Sequence, residues 1–160
     1  MRRVSVGLFC IASCAIATSA ARSTTPAPAP AGRAVVADVI EVEARGSAGS
    51  YLLRVTVRSP DTGCDQYADW WEVVTPGGEL VYRRVLEHSH AKEQPFARSG
   101  GPVDLGEEEE VIVRAHMNRG GYGGAALRGT ALTGFQPAAL APDFAQQLAS
   151  QAPLPQGCAF

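Results

Sequence analysis

The chain's three histidines stand in two segments whose residue types could hold a metal ion. His88 and His90 are two apart, so an extended backbone projects both rings to one side. His116 ends an alternating run, beside Arg114 and Ile112 on its outward face. Three imidazoles suit Zn²⁺ or Cu²⁺, and an acid such as Glu93, Asp61 or Asp65 completes or orients such a site. A divalent metal ion is therefore the cofactor that the residue types suggest. The plainer reading is three surface histidines in polar loops, because a His-x-His pair is common and nothing fixes its distance to His116.

The two long connections between expected strands offer recognition rather than catalysis. The first runs Pro60-Asp-Thr-Gly-Cys-Asp-Gln-Tyr-Ala-Asp-Trp-Trp71 and the second Leu86-Glu-His-Ser-His-Ala-Lys-Glu-Gln-Pro-Phe-Ala-Arg98. Trp70 and Trp71 point to opposite faces of a strand, so one is core and the other is exposed or covered by a loop or the C-terminal tail. An exposed Trp beside Tyr67 would take a sugar or a protein partner, because its face is rigid and amphipathic. Asp61, Asp65, Tyr67, Trp70, Trp71 and Arg98 form the expected binding surface. Asp65, Asp69 and the oxygen-rich Asp61-Thr62 could ligate Ca²⁺, but they match no known loop spacing, and Asp61 and Asp65 fit turn-capping roles better. No catalytic residue emerges. The Gly-x-Ser-x-Gly elbow is absent, and Ser89 points away from its histidine neighbours. The run 120–124, Gly-Gly-Tyr-Gly-Gly, lacks the Lys-Ser/Thr of a phosphate loop and reads as a β-turn. The glutamates at 107–110 read as a solvated turn.

Period-2 patterns supply the elements that would carry these loops. In 36–44 the even positions Val36, Ile40 and Val42 are apolar; in 51–58 the odd positions Tyr51, Leu53, Val55 and Val57 are. The glycine- and serine-rich 46–50 joins them as a hairpin. Further strands are expected at 70–74, 79–86, 111–117 and 125–132, with a short edge strand at 102–105. Thr75-Pro76-Gly77-Gly78 has type II turn chemistry. The fold class is all-β: a single antiparallel β-sandwich, fibronectin-III- or immunoglobulin-like, of about seven strands. The Cys–Trp–Cys spacing of antibody domains is absent. Leu140, Phe144 and Leu148 suggest a short C-terminal helix.

The first residues speak of compartment. Met-Arg-Arg, an apolar run 4–17 and the small residues at 18–21 have the order of an export signal, which would end at Ala20 or Ala21. Ile11-Ala-Ser-Cys14 also resembles a lipobox, in which the signal ends at 13 and Cys14 carries the lipid. An Ala/Pro-rich linker follows at 22–34, then the sandwich domain at 35–132 and a tail at 133–160. Cys10 and Cys14 fall in the signal, so Cys64 and Cys158 are expected to pair in an oxidising compartment. The chain has 14 basic against 16 acidic residues; without Arg2 and Arg3 the balance is 12 against 16, a net charge near −4. That argues against a nucleic-acid partner, and membrane contact is expected only through an N-terminal lipid.

The residues Tyr67-Ala-Asp-Trp-Trp71, Arg84-x-Leu86-x-His88-x-His90-x-x-Glu93-Gln-Pro-Phe96-x-Arg98 and Gly121-Tyr122-Gly-Gly124 together resemble a group of small bacterial exported proteins of unknown function. The resemblance spans about 38–132 and implies an exported single β-domain, with no catalytic or binding residue carried over. The expectation is therefore a periplasmic or secreted, non-enzymatic module binding a protein or glycan. The alternative is an envelope metal-binding protein using His88, His90 and His116.

Overall fold

A computed structural model describes residues 35–159 of the chain. The expected signal (1–21, or 1–13 with lipidation at Cys14) and the linker at 22–34 lie outside the described residues. Eight strands form two antiparallel sheets. The first sheet has the order β1-β2-β5, from Asp38–Ser47, Ser50–Arg58 and Phe96–Val103. The second has the order β4-β3-β6-β7-β8, from Leu80–Val85, Ala68–Val74, Val111–Met117, Ala126–Thr130 and Gly134–Ala138. The inner faces meet as a sandwich core of Val39, Leu53, Val55, Val57, Trp71, Val73, Phe96, Val111, Val113 and Met117. The fold class is the expected one.

Several details differ for local reasons. β8 is an extra strand just past residue 132, hydrogen-bonded to β7. β5 occupies part of what reads as a long loop, because its Ala-Arg-Ser-Gly-Gly sequence has no apolar alternation. β1 does not hold one inward set of positions. A bulge between Val39 and Glu41 switches the facing, so Ala37 and Val39 are buried whereas Ile40 is 36% exposed. The β3–β4 turn is not type II. Positive φ falls on Gly78 rather than Gly77, and Gly78 N–H donates to Thr75 O, a type I turn closed by a left-handed glycine. Past β8 the tail forms a 3-10 turn, Gln146–Ser150, in place of the expected helix. No helix among the described residues is long and apolar enough to cross a membrane.

β3 and β6 are buried on both faces along their whole length. Their inner residues meet the first sheet. Their outer residues are covered by a C-terminal strap, residues 139–159. The strap leaves β8 beside the start of β7, passes Ala145 against Gly78 of the β3–β4 turn, and returns along Arg83. It ends at Cys158, disulfide-bonded to Cys64 across a sequence separation of 94.

A braced groove at the loop end

The register places the long connections together. Asp38 lies opposite Arg58, and Ala68 lies opposite Met117. The start of β1, the 59–67 and 86–95 connections and the 118–125 turn therefore share one end of the sandwich. Asp61 ties the first two. Its side chain is fully buried and accepts from Ser59 Oγ at 2.6 Å, Ala68 N–H at 2.9 Å and His90 N–H at 2.8 Å. Gln94 accepts from Ser59 N–H and donates to His90 O. Asn118 ties in the third, accepting from Tyr67 N–H and donating to the carbonyls of Cys64 and Asp65. These are scaffold bonds, and they use up the carboxylate of Asp61.

The three histidines are engaged separately. His90 is 3% exposed and stacks on Phe96 with centroids 3.8 Å apart. Burial, then the Arg98 and His88 charges, lower it from an ordinary value of 6.5 to about 4. Both ring nitrogens are buried without a hydrogen bond, and the nearest acid, Asp61, is 4.0 Å away. His88 is exposed beside it, ring centroids 4.6 Å apart. Glu93 pairs with Arg98 at 2.8 Å, which lowers its carboxyl below the usual range. His116 belongs to the outer face of the second sheet, bonded to Asp69 and stacked on Trp70. Among the described residues no group of three or more His, Cys, Asp or Glu is arranged to hold a metal. The spacing of His88 and His90 is real, but Phe96 takes one ring into the core and leaves the other outside.

The expected aromatic surface is also rearranged. Tyr67, Trp70 and Trp71 are 4%, 2% and 0% exposed, so an interaction surface loses the exposed Trp that would anchor it. Trp71 is core. Trp70 is covered on its outer face by His116, Arg83 and Tyr122. Asp65 stays fully accessible and Arg98 partly so.

What these loops do frame is a shallow, open groove of about 450 Å³. It is lined by Tyr67, Asp69, Trp70, His116 and Asn118 from the sheet end and loops, and by Ala149, Leu154, Pro155, Gly157 and the Cys64–Cys158 bond. His116 Nδ1 lies 2.7 Å from Asp69 Oδ1, and both side chains are nearly buried. The Asp69 carboxylate holds the ring at Nδ1 and so fixes its orientation in the groove. Burial and the nearby charges of Asp69 and Asp61 raise the Tyr67 phenol, so it stays a neutral donor. The groove's two sulfurs are bonded to each other, so neither is a nucleophile.

Beside this groove lies a cluster that the residue pattern alone does not single out. Glu72 stands directly opposite Arg83 on β4 and Arg114 on β6. All three are buried, and Glu72 accepts from both Nε atoms at 2.9 Å. Arg114 also lies 3.6 Å from the Tyr122 ring, whose phenol burial and Glu72 push up to about 12. The sequence signal was present: one acid and two arginines at outward positions of expected strands. Strand order, which the chain alone does not reveal, makes them one row.

No family model matches the chain, and no solved structure matches it. A protein of Halomicrobium mukohataei described as a "Putative lipoprotein" is 39% identical over 93 residues, covering 57% of this chain and 45% of that protein. The chain thus spans less than half the length of the curated relative it matches.

Proposed function

We propose that this protein is an exported, membrane-tethered β-sandwich that serves as a non-enzymatic binding module, with the Asp69–His116 groove as its working site. The observation that carries the reading is the groove. A hydrogen-bonded Asp–His pair and a neutral tyrosine sit where three connections and the disulfide brace one another, and rigidly held polar groups at loop ends are how sandwiches recognise ligands. Its lining combines apolar Ala149, Leu154 and Pro155 with polar Tyr67, Asp69, His116 and Asn118. That pairing suits a small amphipathic ligand, such as a short peptide or glycan segment. Tethering is supported by the lipobox-like Ile11-Ala-Ser-Cys14 and by the description of the relative.

Two measurements test this. Intact mass of the mature protein is expected to show a lipid-modified N-terminus at Cys14; an unmodified start after Ala20 or Ala21 sinks the tether. Titration of isotope-labelled domain with short peptides and envelope glycans is expected to give saturable amide shifts confined to Tyr67, Asp69, His116, Asn118 and Cys158. Shifts only elsewhere, or none across the panel, reject the groove.

A further inference from the structure

The outer face of the second sheet is built like a recognition site and is already occupied. Glu72 fixes the two arginine forks, and those forks turn their remaining donors onto the main chain of the strap. Arg114 donates to Phe144 O at 2.7 Å and Ala145 O at 2.9 Å. Arg83 donates to Leu148 O at 2.7 Å, to Pro153 O at 3.0 Å and to Gln151 O. Five strap carbonyls are therefore read by two buried cations, and such charge-assisted bonds are stronger than neutral ones. The bonds go to main-chain oxygens, so they select a backbone path rather than particular side chains. Side-chain selection comes from an apolar seat of Val74, Ile112 and Ala126, into which Ala145 and Leu148 are packed. This is not strand addition: the strap forms no ladder with the sheet, and its only regular element is the turn Gln146–Ser150.

We propose that this face is a peptide-binding site that the chain keeps filled with its own residues 144–153. Its ligand class is a turn-forming peptide that offers closely spaced main-chain carbonyls and carries a small residue followed, three positions on, by a leucine-like one. The strap is held at both ends, by continuity with β8 and by the Cys64–Cys158 bond, so its effective concentration excludes any competitor. Opening the disulfide with a dithiol, which leaves two thiols here and closes the reductant's own disulfide, removes one of those holds. The site adjoins the Asp69–His116 groove, part of whose lining the strap supplies, but its own contacts are Glu72, Arg83 and Arg114, which touch the middle of the strap.

The test uses the folded protein with a protease recognition sequence inserted after the exposed Ala139. Cutting leaves the strap attached only through Cys158. A fluorescent peptide of residues 140–157 is then followed by anisotropy. The cut, oxidised protein is expected to take up no peptide; adding dithiothreitol is expected to give saturable uptake. The same peptide carrying Leu148→Asp is expected to bind at least about tenfold more weakly, a change of about 1.4 kcal/mol. That second variant alters the ligand and leaves the domain intact. Loss of cooperative folding once the cut strap is reduced would show that the strap is core rather than ligand and overturn the proposal. So would uptake insensitive to Leu148→Asp, or no uptake at millimolar peptide. The groove titration above reads different residues in the uncut protein, so either reading can fail alone.

Discussion

Glu72 orients two buried side chains at once. It is the lone carboxylate between two buried guanidinium groups, and both lean on it for orientation. Removing one member of a buried charge network leaves the others uncompensated. Glu72→Gln is expected to cost about 3–5 kcal/mol, read from urea unfolding as a lower midpoint. His90 makes a prediction about pH. Its folded value of about 4 lies below the ordinary 6.5, so between those values the unfolded chain holds more protons. Stability is then full above pH 6.5 and is lost as pH falls through about 4. The shift sets a ceiling of about 3 kcal/mol, and water near the loop surface reduces it to roughly 1–2. His90→Phe keeps the stack on Phe96 and removes the titration. Its urea midpoint is expected to change less between pH 7.5 and 4.5 than that of the parent; equal slopes would refute the assignment.

Among the elements, the start of β1 depends on the glycine turn that reads superficially as a phosphate loop. Val35 O and Ala37 O press against Gly120 and Gly124 so closely that a Cβ at either glycine would overlap a backbone carbonyl. Val39 N–H donates to Ala125 O and Ala125 N–H to Asp38, which pins the strand beside the turn. The glycines serve backbone approach, not an anion. Gly124→Ala is expected to destabilise by about 1–3 kcal/mol, since the obstacle is main chain and cannot rotate away. Gly106→Ala meets only ordinary contacts with Glu109 and is expected to stay within about 0.5 kcal/mol. Both are checked by chemical unfolding, and equal effects would contradict this account of the turn.

The sandwich is closed by the strap, residues 139–159. The strap covers a sheet face that carries Trp70, Glu72, Arg114 and His116, and the disulfide fixes its end beside the loops. A loop of that length implies about 4–5 kcal/mol from chain entropy. Cys64→Ser/Cys158→Ser is expected to lower unfolding free energy by about that amount, with the strap amides losing hydrogen-exchange protection before the sheets do. Uniform loss across the molecule would mean that strap and sandwich unfold as one unit.

Alternation in 51–58 and 111–117, glycine and proline punctuation, and a single pair of cysteines outside the expected N-terminal signal were enough to read the sandwich and the Cys64–Cys158 bond. Those features act locally or by elimination, so they survive without knowing which strands are neighbours. The sites were less legible. The chain shows that Trp70 and Trp71 face opposite ways, but strand order and the strap decide that both are buried. It shows His88 next but one to His90 and gives no distance to His116; tertiary packing sends His90 onto Phe96 and His116 to Asp69. Glu72, Arg83 and Arg114 are far apart in the chain and meet only because β4, β3 and β6 lie side by side. Period-2 patterning determines which face a residue takes, and cross-strand register determines whom it meets there.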